Sequence, residues 1–308
     1  MYDPAMRDVV AGAVTRIHVT LQRQAPTLAV PAEVWLRQLA GGQPPEDKLL
    51  HPQAFPRFLL PYWAEQALTR HITPALQADL AYATANAYFH ARLTSHLAAG
   101  NGVTASLLPA LSFFQAQLLQ TYRPYFPAGH LFWSHFDQFW RPAGEGQATL
   151  LPGREAVQFQ QRATQKVCAG KIPLAALCRW HNQPHLLPRW CAFVDLLGIW
   201  HQLHRDVFGW YKDLTRQSET YFLWEARRRA RPGEAPATWV MREGFDWGVS
   251  LLHTRLDELQ QLAAGQLDSP AAWYFLARQA EMLTEQAAKV RAGLQNTRRL
   301  LPPPDLIA

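Results

Sequence analysis

The residues best placed to do chemistry lie in one run, His201-Gln202-Leu203-His204-Arg205-Asp206-Val207-Phe208-Gly209-Trp210-Tyr211-Lys212-Asp213-Leu214. Read as a helix, positions 205, 209 and 213 form one stripe, because four residues advance slightly more than one turn. Asp206 stands beside that stripe. A carboxylate among so many apolar neighbours is costly to bury unless it is paired, hydrogen-bonded or metal-bound. The alternative is a salt-bridged or solvent-facing Asp. Arg205 offers a bidentate grip on phosphate, or an ordinary ion pair with a carboxylate of a neighbouring helix. His201 and His204 are spaced to share a helix face, which suits either a metal site or packed, hydrogen-bonded imidazoles. No Gly-rich phosphate loop, Gly-x-Ser-x-Gly elbow or zinc-protease helix occurs in the chain.

These residues sit in the longest uninterrupted helical pattern, from about Pro188 to Arg231, which is expected to contain one break between two helices. Met6, Val9, Val10, Ala13, Val14, Ile17 and Leu21 recur at helical spacing behind Asp3 and Pro4, a cap and a first-turn proline. Leu39 to Pro61, rich in Gly and Pro, reads as a connector with short turns. Helices are further expected over Pro74 to Ala99, Ser106 to Tyr122, His130 to Arg141, Glu155 to Cys168, Pro173 to Trp180, Ala237 to Ala264 and Pro270 to about Leu294. No alternating apolar run flanked by hairpin turns predicts a strand, and no internal repeat is evident. The pattern therefore predicts an all-α protein, with residues 1–298 as one helical domain and a disordered Pro-rich tail at 299–308.

With 308 residues, 48% hydrophobic, the chain can bury a large core, and 12 Trp, 15 Phe and 9 Tyr suit the walls of an apolar cavity as well as plain packing. The net charge of +6 is scattered, apart from Arg227, Arg228, Arg229 and Arg231. Such a cluster can meet a membrane surface or nucleic acid, or simply end a solvated helix. Cys168, Cys178 and Cys191 lack zinc-ribbon spacing and are expected as reduced thiols. The absence of an apolar leader or a run of about 18 apolar residues predicts a cytoplasmic protein.

The segment from Phe193 through Leu203, Asp206, Trp210 and Asp213 to Thr220-Tyr221-Phe222-Leu223-Trp224-Glu225-Ala226 resembles the second metal-binding helix of class I isoprenoid synthases and its sequel. That superfamily includes polyprenyl diphosphate synthases, squalene and phytoene synthases and terpene cyclases. Other parts follow in the same order. Pro61-Tyr62-Trp63 with Glu65 and Leu68 resembles an early helix, and Asn86 to Gly100 resembles the first aspartate-rich helix. Phe132-Trp133 begins a mid-chain helix, and Lys171-Ile172-Pro173-Leu174 precedes the second motif. The similarity runs from Pro61 to Leu262.

The resemblance implies a helical bundle around a central cavity, in which two carboxylate-bearing helices hold magnesium ions that clamp a prenyl diphosphate. An active member would be a magnesium-dependent prenyltransferase or a terpene synthase-type lyase. This chain departs from the pattern. The first motif becomes Ser95-His96-Leu97-Ala98-Ala99, without one acid, and the second becomes Arg205, Asp206, Gly209 and Asp213. By the resemblance, Asp206 and Asp213 are the metal-ligand candidates and Arg205 the diphosphate-binding candidate. Arg92, Ser95, His96, Gln202 and Gly209 would line the cavity. Two functions stay open: a divergent synthase-like protein that binds a prenyl diphosphate or isoprenoid with altered or lost chemistry, and a noncatalytic pseudoenzyme or partner subunit in a homo- or hetero-dimer. A basic-patch protein that binds a membrane surface or nucleic acid through the arginine cluster is a third, remoter reading; of these, peripheral membrane contact is the expected partner and nucleic acid is not.

Overall fold

The computed structural model describes residues 4–100, 105–148 and 155–300. Among them the regular structure is entirely helical. The chain divides into two compact units, one of Met1–Leu151, Thr164–Gly198 and Leu267–Ser269, the other of Pro152–Ala163, Ile199–Gln266 and Pro270–Ala308.

The first unit opens with α1 (Pro4–Gln24), α2 (Pro26–Leu39) and the short α3 (Pro45–Leu49). α4 (Leu59–Thr69), α5 (Pro74–Ala98), α6 (Leu108–Tyr122) and α7 (Phe132–Ala148) follow. α5 is its centre, packed by α1, α6 and α7. Its residues Leu80 to Ala87 are all buried, so no single apolar stripe can be read from it. Trp35, Phe89 and Phe114 meet beside it, and Tyr122, Phe126, Phe132 and Phe136 form a second ring cluster.

One buried carboxylate ties this unit together. Glu65 of α4 is 0% exposed. It accepts from the Thr73 backbone N–H (3.2 Å), Gln77 Nε2 (2.8 Å) and His181 Nε2 (3.3 Å). Gln77 Nε2 also reaches the Pro61 carbonyl at 3.3 Å. The carboxylate thus joins α4 to the first turn of α5 and to the end of α9 (Ile172–Trp180), which His181 caps.

α8 (Ala156–Val167) and α10 (Leu187–Thr215) each contribute to both units. The second unit takes the latter part of α10, then α11 (Tyr221–Arg229), α12 (Pro236–Trp239), α13 (Phe245–Gly265) and α14 (Pro270–Leu300). A π-helical turn, Val240–Gly244, joins α12 to α13. Gly244 is there because a Cβ would stand 2.2 Å from the Trp239 ring, and Gly248 because a Cβ would come within 2.8 Å of Val207 and 2.9 Å of Phe222. These close approaches set α13 against α10 and α11.

The sequence pattern assigns nothing to residues 22–38, yet α2 forms there with Pro31 inside it, sacrificing one hydrogen bond near its start. α7 likewise runs through Pro142 to Ala148, and α14 continues past Leu294 to Leu300. The break in the long pattern falls at residues 216–220, where Gln217 takes a left-handed conformation and Thr220 caps α11. The expected cap at Asp3 lies outside the described residues; of the tail expected disordered at 299–308, residues 299 and 300 are instead helical, and the rest lies outside the described residues.

Two substitutions test this packing. Glu65→Ala should lower stability by about 3 kcal/mol, since it strands three donors in the interior. Gly248→Ala should cost about 2 kcal/mol through overpacking. Urea unfolding followed by circular dichroism measures both.

Candidate functional site

The sequence-derived candidates fall into two sets, one in each unit. On α10, Asp206 is buried at 4% exposure and accepts a hydrogen bond from Gln202 Nε2 at 2.8 Å, one turn back. It is neither solvent-facing nor stranded. Arg205, its neighbour, points outward as an exposed side chain and forms no ion pair with a described residue. Of the two alternatives for Arg205, the ion pair with a neighbouring helix is therefore not seen among the described residues. Helix geometry separates the two: one step of about 100° turns the buried position into an exposed one.

Asp213 is half-buried, and its carboxylate leans back over Gly209, where a Cβ would lie 3.5 Å from Oδ2. Burial pushes its pKa up, against the opposing pull of Arg205, Lys212 and Arg216. Arg205, Gly209 and Asp213 thus form the expected stripe, with cations around its one carboxylate.

The second set occupies the last turns of α5. Arg92 and His96 sit one turn apart, with Arg92 Nη2 3.3 Å from His96 Nε2. On the other side of the ring, Trp35 of α2 donates its indole N–H to His96 Nδ1 at 3.3 Å and meets it edge to face. A neutral imidazole has one lone-pair nitrogen, so it can accept from only one of these donors. The other contact sets donor against donor. Arg92 Nε is also buried without a hydrogen-bond partner. Burial first, then the positive charges of Arg92 and Lys48, lower the pKa of His96. Ser95 is half-buried beside them. Trp35 and Lys48 lie outside the sequence-derived site: α2 carries no legible helix signal, and Lys48 sits on a five-residue helix in the connector.

Magnesium prefers an octahedron of oxygen donors. The last turns of α5 offer the hydroxyls of Thr94 and Ser95, one imidazole and a guanidinium, a set without a carboxylate that does not suit it. On α10 the candidate carboxylates are Asp206 and Asp213, with no side chain at Gly209 between them and a fixed cation at Arg205; the helix's third, Asp195, pairs with Lys171. Among the described residues no three His, Cys, Asp or Glu side chains gather where they could hold a metal ion.

The other reactive groups are occupied. His204 shares a hydrogen bond with Gln286 of α14 at 3.1 Å and stacks on Phe208, and burial lowers its pKa. Cys168, Cys178 and Cys191 are free thiols, and burial pushes Cys178 and Cys191 to about 12, far from thiolate chemistry at neutral pH. The arginine cluster is exposed but tied to carboxylates. Arg228 and Arg229 both bond the buried Glu225, each at 2.7 Å, and Arg227 reaches Glu219 at 3.3 Å. Arg229 also lies over the Trp247 ring at 4.4 Å.

Burial raises the pKa of Glu225, but the hydrogen bonds from Arg229 and Arg228 outweigh it and the net shift is downward. A carboxylate held below its unfolded value of about 4.3 stabilises the fold above that pH and loses this contribution as pH falls through the folded pKa. Urea unfolding at pH 7 and pH 3 should therefore show a smaller acid loss for Glu225→Gln than for the parent chain, by on the order of 1 kcal/mol.

No sequence family and no curated protein matches the chain. Among solved structures it is similar to a geranylgeranyl pyrophosphate synthetase from the archaeon Geoglobus acetivorans, with a TM-score of 0.63 and 12% sequence identity. The match covers 92% of this chain and 99% of that one. At this identity the likeness concerns the backbone: the chain has the all-α isoprenoid synthase fold.

Proposed function

We propose that this chain is a divergent isoprenoid-synthase-like protein that binds a prenyl or related isoprenoid ligand and does not ionise a diphosphate with magnesium. One observation carries the reading. Where the resemblance places the first aspartate-rich motif, the end of α5 carries Arg92, Ser95 and His96 and not one carboxylate. Ionisation in this superfamily needs metal-held diphosphate as the leaving group, and metal needs hard oxygen ligands on both helices. Removing one set removes the clamp. Arg205 on α10 acts in the same direction, because a guanidinium among ligand positions repels a divalent cation. Asp206 and Asp213 are then the carboxylates a weakly held cation would meet. The ample aromatic side chains support retention of an apolar ligand.

Purified protein incubated with C10 to C20 prenyl diphosphates and magnesium or manganese should release no pyrophosphate and form no new prenyl product. The same ligands should raise its melting temperature by a few degrees, equally in EDTA. Metal-dependent turnover would overturn the loss of ionisation chemistry. No thermal shift with any prenyl compound would end the ligand reading and leave the noncatalytic partner subunit.

A further inference from the structure

We propose that Arg92, His96 and Lys48 form a metal-independent site for an anion of the phosphate or diphosphate class, with the Arg92 guanidinium at the end of α5, where the fold's resemblance would put a carboxylate-held cation. This deepens the reading above and rests on it for the identity of the ligand, but the anion site itself rests on three observations within the first unit.

First, the cluster has more donors than acceptors. Trp35 Nε1 and Arg92 Nη2 converge on the two nitrogens of one imidazole, each at 3.3 Å. Whichever tautomer His96 adopts, one N–H faces another. Second, Arg92 Nε is buried and makes no hydrogen bond. Nε–H and Nη2–H lie on one edge of the guanidinium, the edge that grips two oxygens of a carboxylate or phosphate in parallel. Here one donor of that edge is unused and the other is set against an imidazole that cannot satisfy everything around it. A buried donor without an acceptor costs about 1 to 3 kcal/mol. Third, the charges that act on His96 are Arg92 and Lys48, both positive. Lys48 is exposed, so its ammonium is open to an arriving anion.

An oxyanion answers all three. Accepting from Nε and Nη2 of Arg92, it supplies the missing acceptors. It relieves the donor conflict by freeing His96 to keep Trp35 as its single donor. Its charge offsets Arg92 and Lys48. Phosphate fits better than carboxylate, since three or more oxygens can serve the guanidinium edge and the lysine at once. No bond is made or broken in this step; the site holds the anion.

The test uses the full chain and isothermal titration calorimetry with inorganic pyrophosphate, in EDTA and again with millimolar magnesium. Binding is expected in EDTA, should not tighten with free magnesium beyond the fraction of pyrophosphate the metal sequesters, and should weaken as salt rises. Arg92→Gln should lose at least about tenfold in affinity and Lys48→Gln about threefold, corresponding to a charge-assisted contact and an exposed charge. Lys48→Gln changes an exposed side chain, so it reports even if Arg92→Gln misfolds. The idea is overturned if the parent chain binds no pyrophosphate, if binding requires magnesium, or if it survives in both variants. Loss in Arg205→Gln alone would also overturn it, by moving the anion to α10. Farnesol, which lacks the phosphates, separates the two readings. Farnesol binding without pyrophosphate binding sinks the anion site and keeps the isoprenoid ligand. Pyrophosphate binding with no gain from a prenyl chain does the reverse.

Discussion

The first unit depends on a carboxylate that has no access to water. Glu65 is worth burying only because three donors from two stretches of chain, the start of α5 and the end of α9, close around it. Those donors fix where α5 begins relative to α4 and where α9 ends. Once its first turn is pinned, a 25-residue helix has little freedom at its far end, so the positions of Arg92, Ser95 and His96 are inherited from a contact several turns away. The ring contacts of Phe89 and Trp35 then hold the last turns in place.

At that far end the electrostatics run opposite to those of a metal platform. Aspartates there would repel each other until a divalent cation joined them. Arg92 and Lys48 instead bring positive charge to bear on a neutral His96, which an anion would offset. The same backbone position can serve either arrangement, because a helix fixes where side chains project and not which charge they carry. A shared fold at 12% identity is consistent with a changed site.

Elsewhere the charged residues are spent on structure. Glu225 draws Arg228 and Arg229 back against α11, and Trp247 covers the face of Arg229. The row of arginines stays exposed, but three of its members are held by carboxylates of their own unit. The glycines at 244 and 248 do comparable work for the second unit, admitting Trp239, Val207 and Phe222 where any side chain would collide.

Helical periodicity and Pro or Gly punctuation determined most helices from the sequence alone, with boundaries close to those observed, and the loss of acids at Ser95 to Ala99 was legible in the letters. Local pattern suffices there because a helix is built from contacts within four residues. It failed at α2, where Pro31 masks a helix held by packing; the break before α11 was expected, but its place at a left-handed Gln217 was not legible. The site divides in the same way. Arg205, Asp206, Gly209 and Asp213 could be placed on one helix by counting, whereas the exposure of Arg205 and the burial of Asp206 were decided by what packs on either side. Trp35 reaches His96 across 61 residues of chain. No periodicity encodes such a meeting; only the tertiary fold brings that indole to the imidazole.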